Sequence, residues 1–216
     1  MTLSIKAGST VLFIGDSITE WGRDDSTGSL GHGYVQRAAD LWAVVHPDHP
    51  VTVVNKGIGG NRVADLRARW TRDAIDVAPD VVTVMIGIND TWRAMDSGEV
   101  TTTEAYEADY RHILDRLVAE TAAQLLLIEP FVLPVTPEQW AWRADLDPRI
   151  AVVRRLAAEY GATLIAADGL LNELAVNSGG DTPVSGFARY ADDGVHLTDE
   201  GADALAVAWV GSTEPV

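Results

Sequence analysis

One serine stands where an apolar run ends. Val11-Leu12-Phe13-Ile14 stops at Gly15-Asp16-Ser17. Strands of a parallel sheet are buried on both faces and read as continuous apolar runs, and functional groups collect just past their carboxyl ends. A serine there becomes a nucleophile when a base and oxyanion donors meet it. Three further segments supply candidates. Gly57-Ile58-Gly59-Gly60-Asn61 follows a second apolar run, and its glycines let backbone N–H groups approach a ligand closely. Gly87-Ile88-Asn89-Asp90 follows a third and offers the Asn89 amide. Asp193-Gly194-Val195-His196, near the C-terminus, carries a base whose ordinary pKa is near neutrality. Asp193 is near enough along the chain to accept the imidazole Nδ1–H; Asp192 stands beside it, and spacing favours Asp193. Glycine N–H groups and an Asn amide are the donor types that stabilise a developing oxyanion. The chemistry these residues suit is serine acyl transfer, with Ser17 as nucleophile, His196 as base, Asp193 as its orienter, and a glycine N–H near Gly60 with Asn89 as oxyanion donors.

Each segment taken singly has an ordinary structural reading. A Gly-Asp turn with a capping Ser occurs in many loops. The Gly57–Gly60 cluster reads as a tight turn or an anion-binding nest, Asn89-Asp90 as a helix cap, and His196 as a loop histidine. The conjunction, in this order and at successive strand ends, is what favours catalysis.

Five strands must deliver these groups. The strand-like runs are 9–14, 51–55, 81–86, 125–129 and 163–166, and segments with period 3.6 cover 34–45, 62–77, 104–121, 150–160 and 199–210. Thr198 before Asp199 and Glu200 has the form of a helix N-cap with an acidic first turn. Strand–helix alternation with short links predicts an α/β sandwich around a parallel sheet. In a doubly wound sheet the first three strand ends lie side by side, which would gather Ser17, Gly60 and Asn89 in one crevice. Segments 22–33 and 177–193 read as long loops over the site. Residues 1–216 read as one domain.

Composition narrows the function classes. The net charge of −16 disfavours nucleic acid and anionic lipid as partners and suits neutral substrates such as sugars or uncharged esters. The chain has no Cys, so disulfides, thiolate metal sites and a Cys nucleophile are excluded. No apolar stretch approaches the roughly 18 residues of a membrane span, and the N-terminus lacks a signal-peptide pattern. The expectation is a soluble, cytoplasmic protein. His32, His46, His49, His112 and His196 show no metal-ligand spacing, and Gly15-Asp16-Ser17 lacks the later glycines of a dinucleotide fingerprint. No metal and no cofactor are expected.

The four segments Gly15-Asp16-Ser17, Gly57-Ile58-Gly59-Gly60-Asn61, Gly87-Ile88-Asn89-Asp90 and Asp193-Gly194-Val195-His196 resemble the blocks of the SGNH/GDSL hydrolase superfamily, and they span most of the chain. The resemblance implies a flavodoxin-like three-layer α/β/α sandwich with a central five-stranded parallel sheet. It implies a Ser17–His196–Asp193 triad and an oxyanion hole of the Ser17 N–H, the Gly60 N–H and the Asn89 side chain. The strings Asn55 to Val63, Asp65 to Trp70 and Met85 to Arg93 further resemble intracellular acetylxylan esterases, enzymes that deacetylate xylo-oligosaccharides and in some cases form ring-like oligomers. A homo-oligomer is therefore an expectation. Such esterases often carry a Trp just before the Asp-x-x-His block, where this chain has Asp192.

Trp92, Trp140 and Trp142 are candidates to line a sugar subsite, and Arg23 and Arg93 to reach substrate hydroxyls; core packing and surface salt bridges are their plainer roles. Glu129-Pro130-Phe131 follows the fourth strand and could shape the pocket. Two alternatives complete the reading. One is the same chemistry on another acyl group, as in a lysophospholipase or thioesterase. The other is a flavodoxin-like module that binds an anion and does no chemistry.

Overall fold

The structure, a computed structural model, describes residues 2–179 and 182–216. In chain order the elements are β1 (Leu3–Ile5), β2 (Thr10–Gly15), α1 (Ser17–Glu20), α2 (Tyr34–Val45), β3 (Thr52–Gly57), α3 (Val63–Trp70), β4 (Val81–Met85), α4 (Ile88–Asp96), α5 (Thr103–Glu120), β5 (Gln124–Ile128), α6 (Pro137–Ala141), α7 (Arg143–Glu159), β6 (Thr163–Ile165), α8 (Ala167–Asn177), α9 (Pro183–Tyr190), α10 (Asp199–Gly211) and β7 (Thr213–Pro215). Five parallel strands run in the order β3-β2-β4-β5-β6, and β1 pairs with β7 in a separate two-stranded parallel sheet. Numbered within the large sheet this is 2-1-3-4-5, the flavodoxin-like order, and its switch point lies at β2 between β3 and β4. The expected α/β sandwich around a five-stranded parallel sheet is therefore the observed one.

Alternation along each strand divides the core in two. Val11 and Phe13 of β2, Val81 and Met85 of β4, and Leu126 and Ile128 of β5 face α2, α8 and α10. Leu12, Ile14, Val82, Val84 and Leu127 face α3, α5 and α7 on the other side. Trp209 of α10 lies across the first face, 5.1 Å from the Phe13 ring, and its indole N–H donates to Thr83 Oγ1 at 3.0 Å. A fully buried Trp and a fully buried Thr thus satisfy each other inside an apolar layer.

Three expectations need correction. Segment 177–193 is largely helical: Pro183 occupies the first turn of α9 and Thr182 caps it, the favoured use of a proline at a helix start. Residues 180 and 181 of that segment lie outside the described residues. The helix expected over 150–160 begins at Arg143 and carries Pro148 in its second turn, where a proline removes one bond of the helix ladder without ending the helix. The helical stretch expected over 62–77 is α3 followed by a π-helical turn, Thr71–Ile75.

Candidate active site

The ends of β3, β2 and β4 meet at the switch point, and each sends one expected segment into the same cleft. β2 ends at Gly15, where a side chain is impossible: a Cβ there would lie 2.2 Å from the Met85 carbonyl of β4. The chain turns at once into α1. Asp16 caps that helix, its Oδ1 accepting the Ile18 N–H at 3.0 Å, so Ser17 sits in the first turn with its N–H unused by the helix. β3 ends at Gly57, and Asn55 fixes the turn that follows: its amide donates to the Thr19 and Leu30 carbonyls at 2.7 and 2.8 Å, and its Oδ1 accepts the Gly57 N–H at 2.9 Å. Gly60 then takes φ +76°, a conformation side chains disfavour. The Ser17 and Gly60 N–H groups have no acceptor among the described residues. β4 leads into α4, where buried Asn89 donates one amide proton to the Asn61 carbonyl at 3.1 Å and has a second to give.

The fourth segment arrives from the far side of the sheet. Ala191 bridges to Leu197, the Leu133 N–H donates to the Gly194 carbonyl at 2.8 Å, and the Gln139 amide donates to the Asp193 carbonyl at 2.7 Å. His196 Nε2 lies 2.9 Å from Ser17 Oγ, and His196 Nδ1 lies 2.6 Å from Asp193 Oδ2. The other oxygen of Asp193 accepts the Val195 and His196 N–H groups at 2.8 and 2.7 Å. Burial opposes the Asp193 charge, yet the His196 ring and these two N–H groups hold its carboxyl below the usual carboxylate range. The hydrogen bond that the ring donates to Asp193 lifts His196 above its ordinary pKa against the opposing effect of burial, and the Asp193, Asp16 and Asp192 charges add to the lift. Asp192 makes no hydrogen bond to the ring among the described residues.

Ser17, Gly60, Asn89, Trp92, Arg93, Asp96 and His196 line an open cleft of about 260 Å³. Six of these seven are residues singled out in the sequence. The Arg93 guanidinium pairs with Asp96 at 3.2 Å on the rim. Trp140 is elsewhere, half exposed with its ring against Phe187, and it does not line the cleft. Trp142 is buried behind Trp92, with ring centroids 5.5 Å apart. Arg23 gives its guanidinium to the Gly57 carbonyl at 2.9 and 3.1 Å and pairs with Asp25. Glu129 is fully buried and pairs with Arg154, and Phe131 belongs to the core. Among the described residues no group of three His, Cys, Asp or Glu could hold a metal ion, and no helix is long and apolar enough to cross a membrane.

Three residues important to the geometry escape sequence reasoning. Arg69 of α3, its side chain 8% exposed, donates to the carbonyls of Gly15 (2.9 Å) and Lys56 (2.8 Å), to Asn61 Oδ1 (2.8 Å) and to Asp73 (3.1 Å). Gln139 steadies Asp193, and the Thr-Pro-Glu-Gln capping box at 136–139 is the signal that could have drawn attention to it. Trp21, at the end of α1, stacks on His196 with centroids 5.2 Å apart and planes at 25°; no pattern in the chain marks it.

A doubly wound α/β fold with a serine, an imidazole and convergent amide donors at its switch point defines a class, hydrolases of the serine type. The chain belongs to the GDSL-like lipase/acylhydrolase family, which matches residues 13–204. It is 39% identical over 180 residues to an acetylxylan esterase of Geobacillus stearothermophilus, covering 80% of this chain and 82% of that protein. The crystal structure of Axe2, an acetylxylan esterase from the same organism, superposes with a TM-score of 0.85 at 35% identity over 96% of this chain and 95% of that one. Axe2 has also been solved as two catalytic mutants, one at a serine and one at a histidine. LAE5, an α/β hydrolase from the metagenome of Lake Arreo in Spain, superposes at 0.85 with 30% identity over 96% of each chain. The chain is a carboxylic ester hydrolase, and the alternative of a binding module without chemistry is set aside.

Proposed function

We propose that this esterase removes short acyl groups, acetyl above all, from carbohydrate esters such as acetylated xylo-oligosaccharides, through a Ser17–His196–Asp193 triad. The observation that carries the mechanism is the unbroken run from Asp193 Oδ2 through both ring nitrogens of His196 to Ser17 Oγ, at 2.6 and 2.9 Å. With Nδ1 protonated toward the Asp193 carboxylate, Nε2 accepts the Ser17 proton as Oγ attacks the acyl carbonyl. The oxyanion that forms is met by the Ser17 and Gly60 N–H groups and the free Asn89 proton. His196 then protonates the departing sugar oxygen. Water, activated by the same ring, attacks the acyl-enzyme and releases acetate. The preference for acetyl rests on the acetylxylan esterase relatives, because the cleft is open and its volume sets no limit on acyl length. The acetylxylan esterase relatives support the carbohydrate acceptor.

The test is hydrolysis of p-nitrophenyl acetate, p-nitrophenyl octanoate and acetylated xylo-oligosaccharides by the wild-type chain and Ser17→Ala. The expected result is acetate release from both acetyl substrates, slow turnover of the octanoate, and a fall in kcat of about ten-thousandfold or more in the variant. Full activity in Ser17→Ala would overturn the mechanism. Faster octanoate than acetate turnover would overturn the acyl preference and point to the lysophospholipase or thioesterase alternative.

A further inference from the structure

His196 has two aromatic neighbours. Trp92 of α4 approaches it obliquely, with centroids 6.0 Å apart and planes at 52°. Trp21 lies nearly parallel, at 5.2 Å and 25°. Trp21 is also four residues after Ser17 and closes the same short helix, its N–H donating to the Ser17 carbonyl at 3.0 Å. One residue therefore touches the candidate base and is built into the element that carries the candidate nucleophile.

The backbone at Trp21 is unusual, with φ +20° and ψ +70°. A bulky side chain pays for such a conformation, which persists only when its surroundings over-determine it. Here they do. The Trp21 carbonyl accepts the His32 N–H at 3.0 Å. Gly33 packs against the Trp21 side chain so closely that a Cβ there would lie 2.8 Å from Trp21 Cβ. The 22–33 loop thus holds the indole from behind while its other neighbour is the imidazole.

We infer that Trp21 is a positioning residue, holding the His196 imidazole by face-to-face stacking in the one plane from which Nε2 reaches Ser17 and Nδ1 reaches Asp193. The inference rests on the triad reading above. Asp193 alone leaves the ring free to swing about the axis of the Nδ1 hydrogen bond, and an indole packed on its face removes that freedom. The same face favours the imidazolium formed when the ring takes the Ser17 proton, as an aromatic ring favours a cation above it. A displacement of about 1 Å at a reacting group can cost about a hundredfold in rate, so the stacking is kinetically worth the local strain.

Two readouts test it. In Trp21→Leu, kcat on p-nitrophenyl acetate should fall roughly tenfold to a hundredfold with KM changed less than about twofold, and Trp21→Phe, which keeps an aromatic face, should restore kcat to within about threefold. The second readout needs no turnover. An imidazolium in contact with an indole quenches its emission, so tryptophan fluorescence should drop as His196 protonates. That step should shrink markedly in Trp21→Phe, leaving only the part carried by Trp92, vanish in His196→Ala, and persist in His32→Gln, the other imidazole near Trp21, whose ring centroid is 6.2 Å away. Asp193, Asp192 and Asp16 are the charges that set the midpoint. Wild-type kcat in Trp21→Leu, or an undiminished fluorescence step in Trp21→Phe, would overturn the inference. Should Trp21→Leu fail to fold, Trp21→Met takes its place in the kcat comparison, with the same loss expected and wild-type kcat overturning the inference. A Ser17→Ala variant of full activity would sink the triad reading itself, whereas a normal Trp21→Leu beside a dead Ser17→Ala would sink only the role of Trp21.

Discussion

Two adjacent carboxylates near one imidazole pose a question of division of labour. Asp193 receives three hydrogen bonds, from the His196 ring and from the Val195 and His196 N–H groups. Asp192 contributes only the field of its charge at the ring. The two should separate by mutation. Asp193→Asn removes the acceptor that fixes the tautomer, and kcat should fall by about a hundredfold to ten-thousandfold. Asp192→Asn leaves the hydrogen-bonded run intact and should stay within about threefold of wild type. On the proposed mechanism the base acts as the neutral ring, so kcat/KM should fall on the acid side with a midpoint above 6.5, the ordinary value for His196. Losing the Asp192 charge should shift that midpoint slightly down, since the charge favours the imidazolium. Profiles of kcat/KM from about pH 5 to about pH 9 check both statements. A larger loss in Asp192→Asn than in Asp193→Asn would reverse the assignment.

Among the elements, the five strands of the large sheet were legible because buried parallel strands are uninterrupted apolar runs, and each observed strand lies within two residues of its expected span. Alternation with helices implies a parallel, doubly wound sheet in which the first three strand ends lie side by side, so Ser17, Gly60 and Asn89 were expected in one crevice; the full order β3-β2-β4-β5-β6 is not encoded in that alternation. Helix α9 was not legible, because its short sequence is rich in small and polar residues and its N-terminal proline looked like a loop residue. Neither was the short β1–β7 pairing, which joins the two ends of the chain through a contact that no local pattern encodes. Arg69 illustrates the same limit within the site. On an amphipathic helix rich in arginine it looks like Arg67, which makes an ion pair with Asp109 at 2.6 Å, yet Arg69 reaches three backbone or side-chain oxygens on two strand ends. It ties the turn after β2 to the turn after β3, and its bond to Asn61, whose carbonyl accepts from Asn89, extends the tie to Asn89. A lysine cannot reproduce a planar fork of donors. Arg69→Lys should therefore lower kcat by about tenfold to a hundredfold and lower Tm, whereas Arg67→Lys should change neither appreciably. Equal, small effects at both positions would mean that the tie is dispensable.

At the scale of the whole molecule, the acidity of the chain reaches inside it. Most buried carboxylates have a cation: Glu129 pairs with Arg154, Asp168 with Arg143, and Asp73 with Arg69 and Arg72. Asp16 and Asp90, behind the site, do not. Each leaves one buried oxygen without a partner. Burial pushes Asp16 up to about 7 and Asp90 up to about 6; the Asp90 charge adds to the rise at Asp16, and the Ile18 and Val63 N–H donors with the His196, Arg149 and Arg62 charges offset only part of it. Asp90 is fully buried and its Oδ2 accepts the Val63 N–H at 3.2 Å, which holds the start of α3 against α4. The sign of its effect on stability follows from linkage. The folded state holds the proton more tightly than the unfolded chain, whose value is near 3.8. The favourable burial of the neutral acid is complete below that value and is lost as pH rises through about 6. Ionised Asp90 then costs on the order of 3 kcal/mol, by the conversion of about 1.4 kcal/mol for each unit of pKa. Asp90→Asn keeps an oxygen for Val63, cannot ionise, and also removes a charge that raises Asp16. The difference in Tm between Asp90→Asn and wild type should therefore be least favourable to the variant near pH 4 and should grow in its favour up to about pH 7. Thermal melts of both proteins across that range measure it. A difference that stays flat, or that shrinks as pH rises, would mean that Asp90 carries its charge in the fold at the same cost as in water.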